Sequence, residues 1–191
     1  LELLRQKTTG DAAPSDLLDA FAASAIQSLS TVRETISDRD LETAVDLLAR
    51  ARSVYLLANR RAFPVASYMA YAFGKLGIAA ILVDNLASMG PEQIGPATSD
   101  DALVAISFAP YAPATVELAG LAHRRNVPIV AISDSILSPL AETANVLFEV
   151  TEAEFGAFRS LSATICLAMA LCVSVAERRQ AGGRSRKKRS R

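Results

Sequence analysis

The sequence is poor in the residues that build most metal and redox sites: tryptophan is absent, and 191 residues include one histidine and two cysteines. The spacing of Cys166 and Cys172 matches no metal-binding or redox motif. Both lie in an apolar stretch, so we expect buried, reduced thiols. That stretch, residues 163–173, is shorter than the about 20 residues that cross a bilayer. With no visible signal peptide, the sequence predicts a cytoplasmic protein without membrane contact.

Charge is distributed unevenly along the chain. The 20 Lys and Arg residues balance 20 Asp and Glu residues, but six of the basic ones lie in 184–191, without an acidic neighbour. The rest of the chain therefore has 14 basic and 20 acidic residues, a net charge of −6. Because nucleic-acid binding depends on Lys and Arg at phosphates, this acidic body is not expected to contact DNA. The tail at 181–191 is predicted to be basic and disordered, with order ending at Gly182-Gly183.

The apolar pattern predicts helices and strands in alternation. Helices are predicted at 18–36, from Ser37 or Asp38 onward, at 64–76, 113–125 and 157–179, with short elements at 89–97 and 136–144. Strands are predicted at 54–57, 80–83, 103–106, 129–132 and 146–150. Since these strands are continuous apolar runs, we expect a five-stranded parallel sheet buried on both faces. The fold class is α/β: a three-layer α/β/α sandwich, flavodoxin-like, with extra N- and C-terminal helices.

Ligands of such folds bind at the carboxyl ends of the strands, and short strings near those ends narrow the function. They are residues 55–68 (YLLANRRAFPVASY), 105–108 (AISF) with Tyr111, Pro113 and Thr115, 131–135 (AISDS), 138–141 (SPLA) and 158–160 (FRS). In their order and spacing, the strings resemble the SIS (sugar isomerase) domain of bacterial RpiR-type transcriptional regulators. The resemblance covers about residues 15–179.

The resemblance implies an effector-sensing domain and not an enzyme. In such regulators a helix-turn-helix domain precedes the SIS domain, which binds a phosphosugar and pairs with a second subunit. The chain opens at Leu1 and not at Met, so we expect that a DNA-binding domain precedes it. Residues 1–14 are then a linker or remnant, and residues 15–180 are the SIS effector-binding domain. The expected partners are a carbohydrate effector, DNA through the preceding domain, and a second copy of the chain.

The resemblance places the ligand among hydroxyls, amides and cations of the loops after the strands. The candidate ligand-binding residues are Asn59, Arg60, Arg61, Ser107, Tyr111, Thr115, Ser133, Asp134 and Ser135. Two loops depart from the family pattern. In the first, Ala58, Arg60 and Ala62 replace the Gly, Gly and Ser of Gly-x-Gly-x-Ser. In the second, Ser-x-Ser-Gly, Ser107 remains but Ala109, Pro110 and Ala112 follow, and Pro110 has no N–H to donate.

These departures leave three readings of the pocket open. In the first, Arg60 or Arg61 replaces the lost donors and holds a phosphate or carboxylate. In the second, the ligand is less anionic, for instance a polyol or an unphosphorylated sugar. In the third, the pocket is vestigial and the domain mainly dimerises.

Each candidate also has a purely structural interpretation. Arg60 and Arg61 are then solvated loop charges, and Tyr111 packs its loop against a neighbour. Among the polar residues, Asp134 caps the next turn, Thr115 caps its helix, and Asn59 adopts a turn conformation that Asn tolerates. Glu152 and Glu154 either line the pocket or stabilise the positive end of the last helix.

Catalytic groups are not evident. His123 falls near the C-terminal end of helix 113–125, at the sheet edge away from the crevice. An aldose–ketose isomerase needs a base over its substrate, and His123 does not reach it from the same chain, although a partner subunit's histidine remains an alternative. With no nucleophile–base pair and no cluster of metal ligands, we predict no catalytic residue, metal or cofactor.

The last helix is apolar on more than one face. Its apolar residues are Leu161, Ile165, Cys166, Leu167, Met169, Leu171, Val173 and Val175. Because the sheet covers only one side of this helix, part of it is predicted to meet a second subunit with two-fold symmetry. The leading hypothesis is a regulator domain that is at least a dimer. A sugar-phosphate isomerase and a dimerisation module without a ligand are the alternatives.

Overall fold

The computed structural model describes residues 13–155 and 158–189, and a five-stranded parallel sheet lies at its centre. The strands are β1 (Val54–Ala58), β2 (Ala80–Val83), β3 (Ala102–Ile106), β4 (Ile129–Ser133) and β5 (Val146–Glu149). Their order is β2-β1-β3-β4-β5, and every pairing is parallel. The predicted parallel sheet is therefore confirmed.

Helices cover both faces of this sheet. They are α1 (Pro14–Thr35), α2 (Asp38–Arg50), α3 (Phe63–Lys75), α4 (Gly90–Ile94), α5 (Pro113–Arg124) and α6 (Ser162–Arg189). One core cluster joins the sheet to α2, α3 and α6, and a second joins its other face to α4 and α5. Leu56 and Leu57, adjacent in β1, belong to different clusters and are both fully buried. Because strand side chains alternate between faces, a continuous apolar run is what this three-layer sandwich requires.

The helix ends follow the local signals in the sequence. Ser37 precedes α2, and its hydroxyl accepts a hydrogen bond from the backbone N–H of Asp40 at 3.1 Å, which satisfies one of the free amides of the first turn. Pro64 lies in the first turn of α3, and Gly77 follows that helix with φ +71°. A left-handed residue there is easiest for glycine.

The C-terminal part differs from the prediction at both ends of the last helix. Residues from 157 were expected to be helical, but β6 (Glu154–Phe155) and β7 (Phe158–Arg159) form a short antiparallel hairpin. Ser160 then ends the hairpin, because its hydroxyl accepts a hydrogen bond from the N–H of Ser162 at 3.0 Å and so favours a turn over helix. Helix α6 continues past Gly182 and Gly183 to Arg189. Glycine costs a helix about 1 kcal/mol relative to alanine but does not forbid it.

Some sequence predictions fall outside the described residues, namely residues 1–12 of the predicted linker and residues 190–191 of the tail. Within the described ranges, no helix is both long and apolar enough to span a bilayer. Cys172 is buried as predicted, but Cys166 is exposed. That second prediction is wrong because Cys166 lines a groove between α1, α2 and α6.

Candidate functional site

Two cavities that share Arg61 and Phe108 open at the carboxyl ends of the strands. The loop cavity, about 140 Å³, lies between the loops after β1 and β3, residues 59–62 and 107–112. The hairpin cavity, about 280 Å³, lies between Asp134 and the segment that carries the β6–β7 hairpin. The chain runs from β1 to β2 on one side and returns to β3 on the other, so the loop cavity lies at the topological switch point, where ligands of such sheets bind.

The first loop is held by Asn59. Its Nδ2 donates a hydrogen bond to Thr115 Oγ1 at 2.9 Å, which joins the loop to α5. Asn59 itself is extended, and the left-handed residue is Arg60, with φ +55°. The turn interpretation of Asn59 is therefore wrong. Thr115 does not cap its helix either: the N-cap residue is Ala112, and Thr115 is fully buried.

The second loop uses most of its own amide donors. The N–H of Ser107 donates to Ile132 O, and that of Ala109 to Asp134 Oδ2. The N–H of Ala112 donates to Ser107 Oγ, and that of Thr115 to Ala112 O; the four distances are 2.9–3.3 Å. Pro110 and Pro113 have no N–H. Of the nine residues 107–115, six therefore have no amide hydrogen for a ligand, and the second loop is a poor phosphate cradle.

The residues after β4 divide between structural and exposed roles. Ser133 is fully buried, and its hydroxyl donates to Ser107 O at 2.7 Å. Ser135 Oγ accepts a hydrogen bond from the N–H of Leu137 at 3.0 Å, so it is Ser135 and not Asp134 that caps the next turn. Tyr111 is half-buried beside Asp134. Burial raises the pKa of Tyr111, and the Asp134 carboxylate raises it further.

Arg159 of the hairpin connects three parts of the site. Its Nη1 donates to Asp134 Oδ2 at 3.3 Å and to Ala109 O at 3.4 Å, and its Nε donates to Glu154 Oε2 at 3.3 Å. The sequence places Arg159 only within a family-like string. The opposite charges of Glu154 and Arg159 are the one sequence feature that could have indicated their contact. The hairpin that brings them together is not visible in the apolar pattern.

Arg61 points into the site, whereas Arg60 is exposed. The Arg61 guanidinium carbon lies 4.9 Å from the centre of the Phe108 ring, within the range of a cation–π contact. Burial lowers the pKa of Arg61 and the charge of Arg159 lowers it further, while the carboxylates of Asp134, Glu152 and Glu154 oppose both. Arg61 thus stays cationic among neighbouring carboxylates.

Glu152 combines both roles that the sequence offers for it. Its Oε1 accepts hydrogen bonds from the backbone N–H and the hydroxyl of Thr164, both at 2.8 Å, which suits the positive end of α6. The residue also lines the hairpin cavity. Glu152 Oε2 and Asp134 Oδ1 are buried and find no hydrogen-bond donor among the described residues.

The comparisons with known proteins agree with this fold. The family model for the SIS domain matches residues 47–174, more than half of the chain. This chain belongs to the SIS domain family. A comparison with curated proteins gives no match.

Solved structures of SIS proteins are similar in fold at low sequence identity. The SIS domain of an RpiR transcription factor from Sphaerobacter thermophilus has a TM-score of 0.79 at 22% identity, over 86% of this chain and 91% of that one. Vibrio vulnificus NanR, complexed with ManNAc-6P, has a TM-score of 0.72 at 22% identity, over 92% and 66%. Phosphoheptose isomerase GmhA from Neisseria gonorrhoeae has a TM-score of 0.72 at 16% identity, over 85% and 99%.

In this SIS domain the predicted site residues are only partly brought together. Asn59, Arg60, Arg61 and Ser107 line the loop cavity, and Arg61 and Asp134 line the hairpin cavity. Neither lining includes the other four candidates, which are Tyr111, Thr115, Ser133 and Ser135. Sequence reasoning missed Phe108 and Arg159, which line the cavities instead.

His123 lies in the last turn of α5, at the edge of the SIS sheet opposite to both cavities. Across residues 13–155 and 158–189, no group of three or more His, Cys, Asp or Glu side chains is placed to hold a metal ion. The polar side chains that line the cavities are arginines, carboxylates, loop hydroxyls and the amide of Asn59, groups that can hold a ligand through hydrogen bonds and charge.

Proposed function

We propose that this SIS domain is the effector-sensing and dimerisation domain of a DNA-binding transcriptional regulator, and that its effector is a carbohydrate metabolite. The observation that carries the proposal is the pair of adjoining cavities at the carboxyl ends of the strands, which share Arg61, one of them also lined by Asp134 and Glu152. The likeness to the RpiR factor and to NanR, whose structure holds a sugar phosphate, supports it. DNA would be bound by a preceding domain, since the body of this chain is acidic.

A groove between α1, α2 and α6 supports dimerisation. It measures about 620 Å³ and is lined by apolar residues that include Ile26, Leu29 and Cys166. Ile26 is 65% exposed, and on α6 Met169 and Val173 are 41% and 52% exposed. A contiguous apolar surface of this kind marks a protein interface, and we propose that a second copy of the chain covers it.

Effector binding would act through this dimer. The segment that leads into the hairpin also contacts α1: the N–H of Ala153, the residue before β6, donates to Ser28 Oγ at 2.8 Å. A ligand that moves the hairpin would therefore shift the balance between two arrangements of α1 in the dimer. Two attached DNA-binding domains would follow that shift.

A sugar-phosphate isomerase is the second candidate, because Glu152 presents a buried, unpaired carboxylate oxygen to the hairpin cavity. A carboxylate in that environment can act as a general base. The scarcity of free amide donors in the second loop and the position of His123 oppose this candidate.

A ligand screen followed by a turnover assay tests the proposal. Saturating ligand raises the melting temperature of the domain, since stabilisation is about 2.7 kcal/mol at a hundredfold excess over Kd. Sugar phosphates, free sugars, polyols and sugar acids form the panel. We expect a shift with at least one compound, and no conversion of that compound when it is incubated with the protein and followed by NMR. Turnover would favour the isomerase, and the absence of any shift would favour a dimerisation module with a vestigial pocket.

A further inference from the structure

We infer that the effector is a neutral, polyhydroxylated carbohydrate without a phosphate group, such as a free sugar or a polyol. The inference rests on the proposed function and specifies the chemistry of its ligand. Three features of the two cavities carry it: the supply of hydrogen-bond donors, the balance of charge, and the acceptors that are left without a partner.

Donors for a phosphate are scarce in the loop cavity. A phosphate dianion is bound by several backbone N–H groups at a helix N-terminus. Here α5 begins with Pro113, and the amides of Ala109, Ala112 and Thr115 already donate within the protein. On the other side of the cavity, α3 has Pro64 in its first turn. Both helices that open onto the cavity have thus lost an amide donor to proline.

The charge of the hairpin cavity also opposes a dianion. Its lining contains two cations, Arg61 and Arg159, and three carboxylates, Asp134, Glu152 and Glu154. Arg159 is already paired with Asp134 and Glu154, at 3.3 Å each. One phosphate would place two further negative charges beside a lining whose formal charge is −1. Like charges in a partly buried site are weakly screened and strongly unfavourable.

The unpaired acceptors fit hydroxyl groups. Glu152 Oε2 and Asp134 Oδ1 accept no hydrogen bond in the described part of the chain, although buried carboxylate oxygens are normally hydrogen-bonded. Because the Tyr111 hydroxyl lies beside Asp134, Glu152 Oε2 is the acceptor that is free for a ligand. A sugar hydroxyl would satisfy it, whereas an ionised phosphate oxygen would not, so Glu152 selects for hydroxyl groups and the charge of the lining selects against an added phosphate. Arg61, which makes no ion pair within the described residues, can donate to a hydroxyl or a ring oxygen. The cavity volume of about 280 Å³ suits a monosaccharide, since small-molecule sites begin at about 300 Å³.

Isothermal titration with matched pairs of compounds tests this inference. The probes are glucitol, mannitol and fructose, each paired with its own 6-phosphate ester. We expect at least one unphosphorylated member to bind about tenfold or more tightly than its ester, because the phosphate brings two negative charges to a lining that is already negative. If an ester binds more tightly, the inference is wrong and the proposed function stands. If no member of any pair binds while a sugar acid or another sugar phosphate of the ligand screen does, the inference is wrong and the proposed function stands. If nothing in the screen binds either, both fail.

The variant Glu152→Gln tests the residue itself. Its amide oxygen still accepts from Thr164, but its NH₂ group replaces an acceptor by a donor in the cavity. We expect affinity for the neutral compound to fall about tenfold or more, while affinity for the ester does not fall. Glu142→Gln is the matched control, because Glu142 is exposed and lies away from the cavities. It precedes Asn145, whose N–H donates to Ile129 O at the opposite edge of the sheet. If Glu152→Gln does not fold, Asp134→Asn is used with the same expectation. An unchanged affinity in a folded variant contradicts the inference.

Discussion

Arg159 Nη1 lies 3.3 Å from Asp134 Oδ2, so a residue of the β6–β7 hairpin is paired with the residue that follows β4. The same guanidinium reaches Ala109 in the loop after β3. Three segments that are distant in sequence therefore meet over the hairpin cavity. Replacing one side chain tests how firmly the hairpin is held there.

Arg159→Ala is expected to release the hairpin without unfolding the domain. The ion pairs are partly solvated, so the free energy of unfolding should fall by less than about 1 kcal/mol. Amide exchange should be faster in and next to the hairpin, for instance at Ser160, whose N–H donates to Ala153 O at 3.3 Å. Arg50→Ala, which breaks an exposed pair with Asp46, is the control and should leave hairpin exchange unchanged. Unchanged exchange in Arg159→Ala would show that the ion pairs do not hold the hairpin.

Arg60→Gly is expected to stabilise the domain. Arg60 has φ +55°, and a left-handed conformation costs a residue with a Cβ about 1–2 kcal/mol. Glycine removes that cost but raises the conformational entropy of the unfolded chain, which offsets part of the benefit. We therefore expect the free energy of unfolding, measured in urea, to rise by about 0.5–1 kcal/mol. Arg60→Ala keeps the Cβ and should bring no such gain. A glycine variant that is less stable than the alanine variant would contradict this account of the first loop.

Asp101 is expected to stabilise the amino edge of the sheet. Its side chain is fully buried and accepts hydrogen bonds from Arg52 Nη2 at 2.7 Å and from the N–H of Thr98 at 3.0 Å, among others. Removing such a carboxylate leaves its donors unpaired, so Asp101→Ala should cost about 3 kcal/mol. Asp100→Ala, at an exposed neighbouring residue, is the control. Denaturant unfolding measures both.

The contribution of Asp101 should depend on pH. Burial alone would raise the pKa of Asp101, but hydrogen bonds from Arg52 and Thr98 outweigh it and hold the pKa below its ordinary value of 3.8. A carboxyl group with a lowered folded pKa stabilises fully above its ordinary pKa and loses that effect as the pH falls through the folded pKa. The difference in stability between the wild type and Asp101→Ala should therefore be constant at neutral pH and narrow below about pH 4. A stability difference that widens in acid would show that the pKa of Asp101 is raised on folding, and would contradict this prediction.

The two cysteines are expected to differ in their reactivity toward a thiol reagent, because only Cys166 lines the groove between α1, α2 and α6. Burial raises the pKa of Cys172 to about 12, so its thiol should not react. Cys166 lines the groove and should be protected while the dimer persists. Ile26→Glu places a charge in the groove and should give a monomer in sedimentation and a reactive Cys166. Leu86→Glu, at an exposed residue outside the groove, should change neither. A wild-type chain that sediments as a monomer at micromolar concentration would remove the proposed interface.

The sequence predicts the sheet and most helix ends well, for identifiable reasons. Buried parallel strands must be apolar at every position, as Val54–Ala58 is, and caps such as Ser37 and Gly77 act on their own neighbours. The hairpin was missed because it depends on Arg159 reaching Asp134 and Ala109, residues 25 and 50 positions away. Two-residue strands leave no periodicity in the sequence.

The site was only partly predictable for a similar reason. A residue type shows that a side chain can donate or accept a hydrogen bond, but not whether the fold has already used that capacity. Ser133 lies at the carboxyl end of β4 and Thr115 in the first turn of α5, where a ligand could reach a hydroxyl. However, the hydroxyl of Ser133 already donates to Ser107 O, and that of Thr115 already accepts from Asn59. In contrast, Glu152 is shared between Thr164 and the cavity, which spacing alone does not show.

Hydrogen exchange with and without a carbohydrate tests most directly that the carboxyl edge of the sheet is an effector site. The chain is saturated with the best compound of the ligand screen, and amide exchange is mapped along the sequence. We expect slower exchange in residues 59–62, 107–112, 151–155 and 158–160, which surround the two cavities. Protection confined to α1 and α6, or no protection at the carboxyl edge despite saturation, would contradict it.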